Sequence, residues 1–312
     1  MPIHVKEPGL LTTVQDAGRF GYAHLGISPS GAADGVALRV ANRLVGNSEN
    51  VAALEITLLG PTLEFDEAGV MALAGGECEV KLGSDAVPMW EALAVPKGSV
   101  LKCAGMKSGA RAYLALQGGF DVRPILGSAS TNLSGHFGGL DGRQLKKGDV
   151  LHVRKQDAKR SISKLKPGTK ERLYERSALR VTRGVQQDWF GANELKKLFL
   201  SPYRVSEESN RSGLRLTGEP LEARDGSHLI TEGVALGAVQ VPPDGQPIIL
   251  FVDQQTTGGY PKIANVIAAD MHRVGQLRPR DEVRFSEVTV LEAIRLLGEQ
   301  EEFLRESFVA GV

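Results

Sequence analysis

Short runs in which apolar and polar positions alternate dominate this chain, and Gly or Pro bounds nearly every one of them. Glu77-Cys78-Glu79-Val80-Lys81-Leu82 alternates strictly, as a half-exposed strand does, and stops at the turn-forming Gly83-Ser84-Asp85. Ala53 to Leu58, Val70 to Ala74, Arg111 to Gln117, Val150 to Val153, Leu179 to Thr182, Leu214 to Thr217 and Ile248 to Val252 are runs of the same kind. Val95 to Leu101, Leu145 to Leu151 and Leu277 to Val283 share a cadence of apolar anchor, tight polar turn and strand. The pattern predicts a mainly β fold of closed, mostly antiparallel sheets.

Helical periodicity is confined to a few places. Asp34 can cap a helix whose Val36, Ala37, Val40, Ala41 and Leu44 share one side and which ends at Gly46-Asn47. Asp188 to Leu200 reads as a second helix, and Val288 to Phe308 contains a third with Leu291, Ile294, Leu297 and Phe303 on an amphipathic face. A length of 312 residues fits two domains. Between Arg154 and Ser177, Lys155, Lys159, Arg160, Lys164, Lys166, Lys170, Arg172 and Arg176 dilute the apolar content around Pro167-Gly168. That composition predicts a solvated charged linker over 156–178, between domains over 1–155 and 179–312.

The most polar strand end is Asp253-Gln254-Gln255-Thr256-Thr257-Gly258-Gly259-Tyr260-Pro261, directly after the apolar run Pro247 to Val252. Its glycines let backbone approach a ligand, and Pro261 stiffens the turn. Leu11-Thr12-Thr13-Val14-Gln15-Asp16-Ala17-Gly18-Arg19 and Ser209-Asn210-Arg211-Ser212-Gly213-Leu214-Arg215-Leu216 repeat the design of amide, charge and glycine at a strand end or entry. Strand-end loops of adjoining barrels can meet at one mouth, so these segments are expected to gather around a pocket.

Taken together, Thr-Thr-Val-Gln-Asp-x-Gly-Arg, Ser-Asn-Arg-x-Gly and Asp-x-Gln-Thr-Thr-Gly-Gly-Tyr-Pro resemble the signature of the family variously called KipA, allophanate hydrolase subunit 2 and the C subunit of 5-oxoprolinase. The resemblance runs from about Ile3 to Phe285 and includes Gly26-Ile27-Ser28, Asn42 to Asn47, Ala53 to Thr57 and Gly237 to Pro242. That family is similar to subdomains A and B of the carboxyltransferase part of urea carboxylase. The resemblance implies two cyclophilin-like β-barrel subdomains, A over 1–155 and B over 179–312. It also implies an ATP-dependent 5-oxoprolinase complex opening 5-oxoproline to L-glutamate, with a KipI-type partner as its B component and a LamB/YcsF-type partner as its A component. One alternative is a subunit of a biotin-dependent carboxyltransferase that acts on urea or a similar amide. Another is a non-catalytic regulator that antagonises a KipI-type kinase inhibitor.

Composition narrows the chemistry. Lys plus Arg equals Asp plus Glu at 37 each, so no net field attracts nucleic acid or an anionic membrane. There is no long apolar run and no basic segment leading into an apolar one at the start, and Cys78 and Cys103 make no disulfide framework. A cytoplasmic protein with reduced thiols is expected. The six histidines are isolated, so no metal site is expected. Neither a Gly-x-x-x-x-Gly-Lys-[Ser/Thr] loop nor a Gly-x-Gly-x-x-Gly fingerprint occurs, which assigns any ATP to the complex. Ala104-Gly105-Met106-Lys107-Ser108 reads as a solvent-facing turn rather than a biotin carrier tip, so biotin is not attached to this chain.

What remains is polar binding plus charge. Gln15, Asn210, Gln255 and Thr257 suit the donors and acceptors of an amide or lactam, with Arg19, Arg211, Gly258 and Tyr260 completing the substrate-binding set. Asp253 and Asp16 are the candidate proton acceptors, and Lys262 is the candidate cation for a developing oxyanion. Asp34 is read as a helix cap, and Glu55 as the partner of a neighbouring Arg.

Overall fold

The computed structural model describes residues 1–154, 162–175, 177–224 and 229–310. The chain folds into two compact units. One comprises Met1–Arg19, Ser30–Thr169 and Glu306–Val312, and the other Phe20–Pro29 and Lys170–Arg305. Each holds a barrel-type sheet, so the fold is mainly β with two β-barrel subdomains, as the alternation predicts.

The first unit is organised by its longest strand, Val100–Leu116. One edge pairs with Gly69–Leu82 from Met71↔Leu116 to Leu82↔Leu101. The other edge is shared between Ala53–Thr57 and Thr62–Phe65. Leu11–Gln15 extends the sheet beyond Ala53–Thr57, and Pro2–Glu7 with Val150–His152 extends it beyond Thr62–Phe65. Val14, Leu54, Leu114 and Leu73 lie in register across adjacent strands and are fully buried in the core. Burial on that scale contributes roughly 1.5–3 kcal/mol per large aliphatic side chain.

The opposite face carries the helix Gly35–Leu44, which packs on the two long strands. Its N-cap is Asp34, whose carboxylate accepts from Ala37 N–H at 2.8 Å. Val36, Ala37, Val40, Ala41 and Leu44 are buried, as their spacing predicts. Gly75 makes the close fit possible, because a Cβ there would sit 2.5 Å from Arg111 O and 3.4 Å from Ala37 Cβ.

In the second unit eight strands run in the order Glu282–Val283, Tyr203–Val205, Gly213–Thr217, Ile248–Leu250, Ala238–Gln240, Lys262–Val266, Leu179–Arg183, Phe285–Glu287. The two end strands are separated in sequence by Arg284 alone, so the sheet must curl until its ends nearly meet. A two-stranded ribbon, Glu232–Gly233 with Thr257–Gly258, stands apart.

Four local expectations need correction. Ala104 to Ser108 is not a turn but a bulged part of Val100–Leu116, where Cys78↔Met106 and Glu77↔Ser108 keep the ladder going past Gly105. The charged segment is not all linker. Residues 155–161 and 176 lie outside the described residues, but Ser163–Leu165 pairs with Phe308–Ala310 and Thr169–Leu173 is helical. Leu173 and Thr169 supply buried anchors that the surrounding lysines mask. Asp188 to Leu200 divides at Gly191 into a 3₁₀ turn, Gln187–Trp189, and the helix Ala192–Leu200. In the helix Val290–Glu306 only Leu304 is fully buried, while Leu291 and Ile294 are exposed.

Candidate functional site

The first unit gathers polar groups where Leu11–Gln15 ends. Gln15 is fully buried, and its amide nitrogen donates to Thr13 Oγ1 at 3.0 Å and to Thr131 O at 3.2 Å. The next residue, Asp16, turns toward the segment 128–130. Its carboxylate accepts from Gly18 N–H at 2.8 Å, Ala129 N–H at 2.6 Å and Ser128 Oγ at 2.6 Å, and also from the Ser130 hydroxyl. A carboxylate with four donors is held in place, which suits stitching two loops together better than taking a substrate proton. Arg19 is buried, donates to Ser130 O and lies 4.8 Å from the centre of the Phe137 ring.

Beside this loop runs a second buried network. Glu55 Oε2 accepts from Tyr113 OH at 2.6 Å and from Ala33 N–H at 2.9 Å, while Glu55 Oε1 lies 3.5 Å from Arg111 Nε. Tyr113 OH in turn accepts from Asp34 N–H at 2.8 Å. Burial pushes the Tyr113 hydroxyl well above its usual range, and the neighbouring Glu55 and Asp34 charges add to that. The expected Arg partner of Glu55 is present, but the tyrosine is the closer contact.

In the second unit Arg211 and Asp253, 42 residues apart in sequence, meet as a buried ion pair with Arg211 Nε 2.8 Å from Asp253 Oδ2. The backbone repeats the contact, Asp253 N–H donating to Arg211 O at 2.9 Å. Two of the polar strand ends therefore do converge, through this pair. Asn210 is exposed, and its side-chain oxygen accepts from Ser212 N–H at 2.8 Å, closing an Asx turn. Gln255 and Thr257 are exposed as well.

Lys262 is buried at the start of Lys262–Val266, and its ammonium pairs with Glu232, whose carboxylate also accepts from Gln186 Nε2 at 2.8 Å. The hydrogen bond from Lys262, and then that from Gln186, holds the Glu232 carboxyl below its usual range. Gln186 Oε1 accepts from Lys262 N–H at 3.2 Å, so one amide fixes both the lysine backbone and its counter-ion. Gly258 lies against Gln240, where a Cβ would come within 2.6 Å of Nε2. Tyr260 is 44% exposed and rims a concavity of about 740 Å³ whose walls include Pro220, Leu221, Val241, Pro242 and Pro261. Glu222, Arg224 and Asp244 line it too, so its walls mix apolar and charged groups.

Sequence reasoning left out Glu232, Gln186 and Tyr113, and read Glu55 only as the partner of an Arg. A buried Lys signals that a carboxylate is needed, but nothing in the order of residues marks Glu232, 30 positions earlier, as the one.

The whole chain can be placed among known proteins. Residues 25–287 match the family model described as "Carboxyltransferase domain, subdomain A and B". The C subunit of 5-oxoprolinase from Escherichia coli (strain K12) is 41% identical over 298 residues, covering 96% of this chain and 95% of that protein. The urea amidolyase of Saccharomyces cerevisiae is 35% identical over 301 residues, covering 91% of this chain but 16% of that protein. The crystal structure of the K. lactis urea amidolyase superposes with a TM-score of 0.92 at 33% identity over 99% of this chain, which spans 20% of that larger protein. With a matching family model over most of its length and a relative matched nearly end to end, this chain belongs to the carboxyltransferase subdomain A and B family.

Proposed function

We propose that this chain is the C subunit of an ATP-dependent 5-oxoprolinase complex, which opens 5-oxoproline to L-glutamate together with KipI-type and LamB/YcsF-type partners in the cytoplasm. The observation that carries this reading is the near end-to-end match to a C subunit of 5-oxoprolinase. A five-membered lactam resists water, and ATP supplies the complex with a phosphoryl group that converts the carbonyl oxygen into part of a leaving group.

Among the described candidate site residues, Arg211 and Lys262 do not suit a triphosphate, because they spend their charges on Asp253 and Glu232. ATP therefore belongs to the assembled complex, and the isolated chain is expected to be inactive. The part left to this chain is to bind and orient the lactam. A buried amide such as Gln15, whose Oε1 has no donor, can accept from its N–H.

The K. lactis likeness favours a second reading, a subunit of a biotin-dependent carboxyltransferase that acts on a urea-like amide, with biotin carried by another chain. One assay separates them. The chain is co-purified with the products of its neighbouring genes and tested for ATP-dependent glutamate release from 5-oxoproline, with and without this chain. Release that needs this chain supports the first reading. No release, together with biotin-dependent carboxylation of urea, overturns it.

A further inference from the structure

The sheet of the first unit has a polar face that its own hydrogen bonds leave incomplete. Strand register sets Thr13, Glu55 and Tyr113 side by side, with Gln15 on one flank and Thr57 and Arg111 on the other. The segment after Ser30 crosses this face, since Ala32 N–H donates to Asp16 O and Ala33 N–H to Glu55 Oε2, each at 2.9 Å. Ser30 itself holds a left-handed backbone at φ 52°, which is uncommon for a residue with a side chain.

Among the described residues here, Gln15 Oε1, Ser30 Oγ and Thr57 Oγ1 are buried and make no hydrogen bond. The Gln15 amide cannot relieve this by turning over. Its nitrogen already donates to a carbonyl, Thr131 O, and a flip would set oxygen against oxygen. The acceptor is thus held in a fixed direction with its donor side fully used. Leaving a buried acceptor bare is costly, and proteins rarely do so without a ligand or water to supply the donor.

We propose that Gln15 Oε1 accepts the ring N–H of the substrate, making it the residue that distinguishes a lactam or amide from its oxygen-containing counterpart. This rests on the 5-oxoprolinase reading above and names the substrate group that the face recognises.

The test uses the complete complex and two probes: 5-oxoproline, and the lactone in which ring oxygen replaces the N–H, scored as a competitor. The unaltered complex should bind the lactone about tenfold to a hundredfold more weakly than 5-oxoproline. Gln15→Met keeps the length and removes the acceptor. It should raise KM for 5-oxoproline by a similar factor, leave kcat within a fewfold and leave lactone binding unchanged. Equal binding of both probes by the unaltered complex overturns the inference without any variant, so a misfolded Gln15→Met does not protect it. A folded Gln15→Met that keeps the full preference overturns it too, and would mean that water fills the position. A complex that never releases glutamate from 5-oxoproline removes the function proposed above, and this inference with it. Turnover without N–H preference removes the inference alone.

Discussion

Asp253→Asn separates a proton-transfer role from a structural one, and the structure changes the expected size of the structural effect. A carboxylate that only closed a polar turn would contribute about 1 kcal/mol. Asp253 instead faces the Arg211 guanidinium at 2.8 Å with both side chains nearly free of solvent, at 2% and 4% exposed. Taking one charge from such a pair costs about 3–5 kcal/mol, because the remaining ion stays desolvated. Asparagine keeps one acceptor oxygen for the guanidinium, which puts the expectation near ~3 kcal/mol. For a folding unit of this size that is a fall in Tm of roughly 6 to 12 °C.

The assay is thermal unfolding of the purified variant beside turnover of the reconstituted complex, expressed per folded molecule. The double variant Arg211→Met/Asp253→Leu removes both charges and should recover much of the lost stability. If Asp253 is structural, turnover follows the folded fraction in every variant, double included. A Tm within about 1 °C of the parent would refute the electrostatic reasoning. An unchanged Tm with turnover down about a hundredfold would make Asp253 a chemical group after all.

Other changes probe the remaining networks. Tyr113→Phe strips a buried acceptor from Asp34 N–H and a 2.6 Å donor from Glu55, so chemical denaturation should show a loss of about 2 kcal/mol with the fold retained. The Glu232 carboxyl is held below its usual 4.5, so its contribution is complete above about pH 4.5 and fades as pH falls through the lower folded value. The stability gap between the parent and Glu232→Gln should therefore close in melts taken from about pH 6 down to about pH 3, and a constant gap would contradict the pairing with Lys262. Burial pushes the Cys78 thiol up to about 11. Only about one part in a thousand is then thiolate at about pH 8, so iodoacetamide should label it quickly only after denaturation.

Sequence patterns proved legible where a single period governs a segment. Glu77 to Leu82 alternates because one face of that strand meets the core, and the Gly35–Leu44 helix announces itself through Asp34 and its buried side. Legibility fails where two rules compete. At Gly105 and Gly109 the glycines that mark turns elsewhere serve a bulge within a continuous strand, and only pairing with Gly69–Leu82 reveals the difference. In the lysine-rich stretch, charge density conceals Leu165 and Leu173, whose partners are the strand Phe308–Ala310 and the buried His272, far along the chain.

For the site, residue type alone could not sort ligand-facing groups from self-satisfied ones. Asn210 and Gln15 are both amides next to a Gly-containing turn, and sequence treats them alike. Asn210 turns back on its own backbone within three residues, which meets its needs locally and leaves it in solvent. Gln15 instead reaches a carbonyl 116 positions away, and that contact fixes its oxygen without a donor. The difference lies in whether a polar group's partners are close in sequence. Where they are, the group explains itself and binding something else would break bonds already made. Where they are distant, the tertiary fold sets the direction of every lone pair, and an unmet one becomes a demand that only a ligand or a water molecule can satisfy. On that criterion Asn210 belongs to the scaffold; Asp16 joins it because its distant partners meet its oxygens with donors, and Gln15 is the group through which a bound lactam would be read.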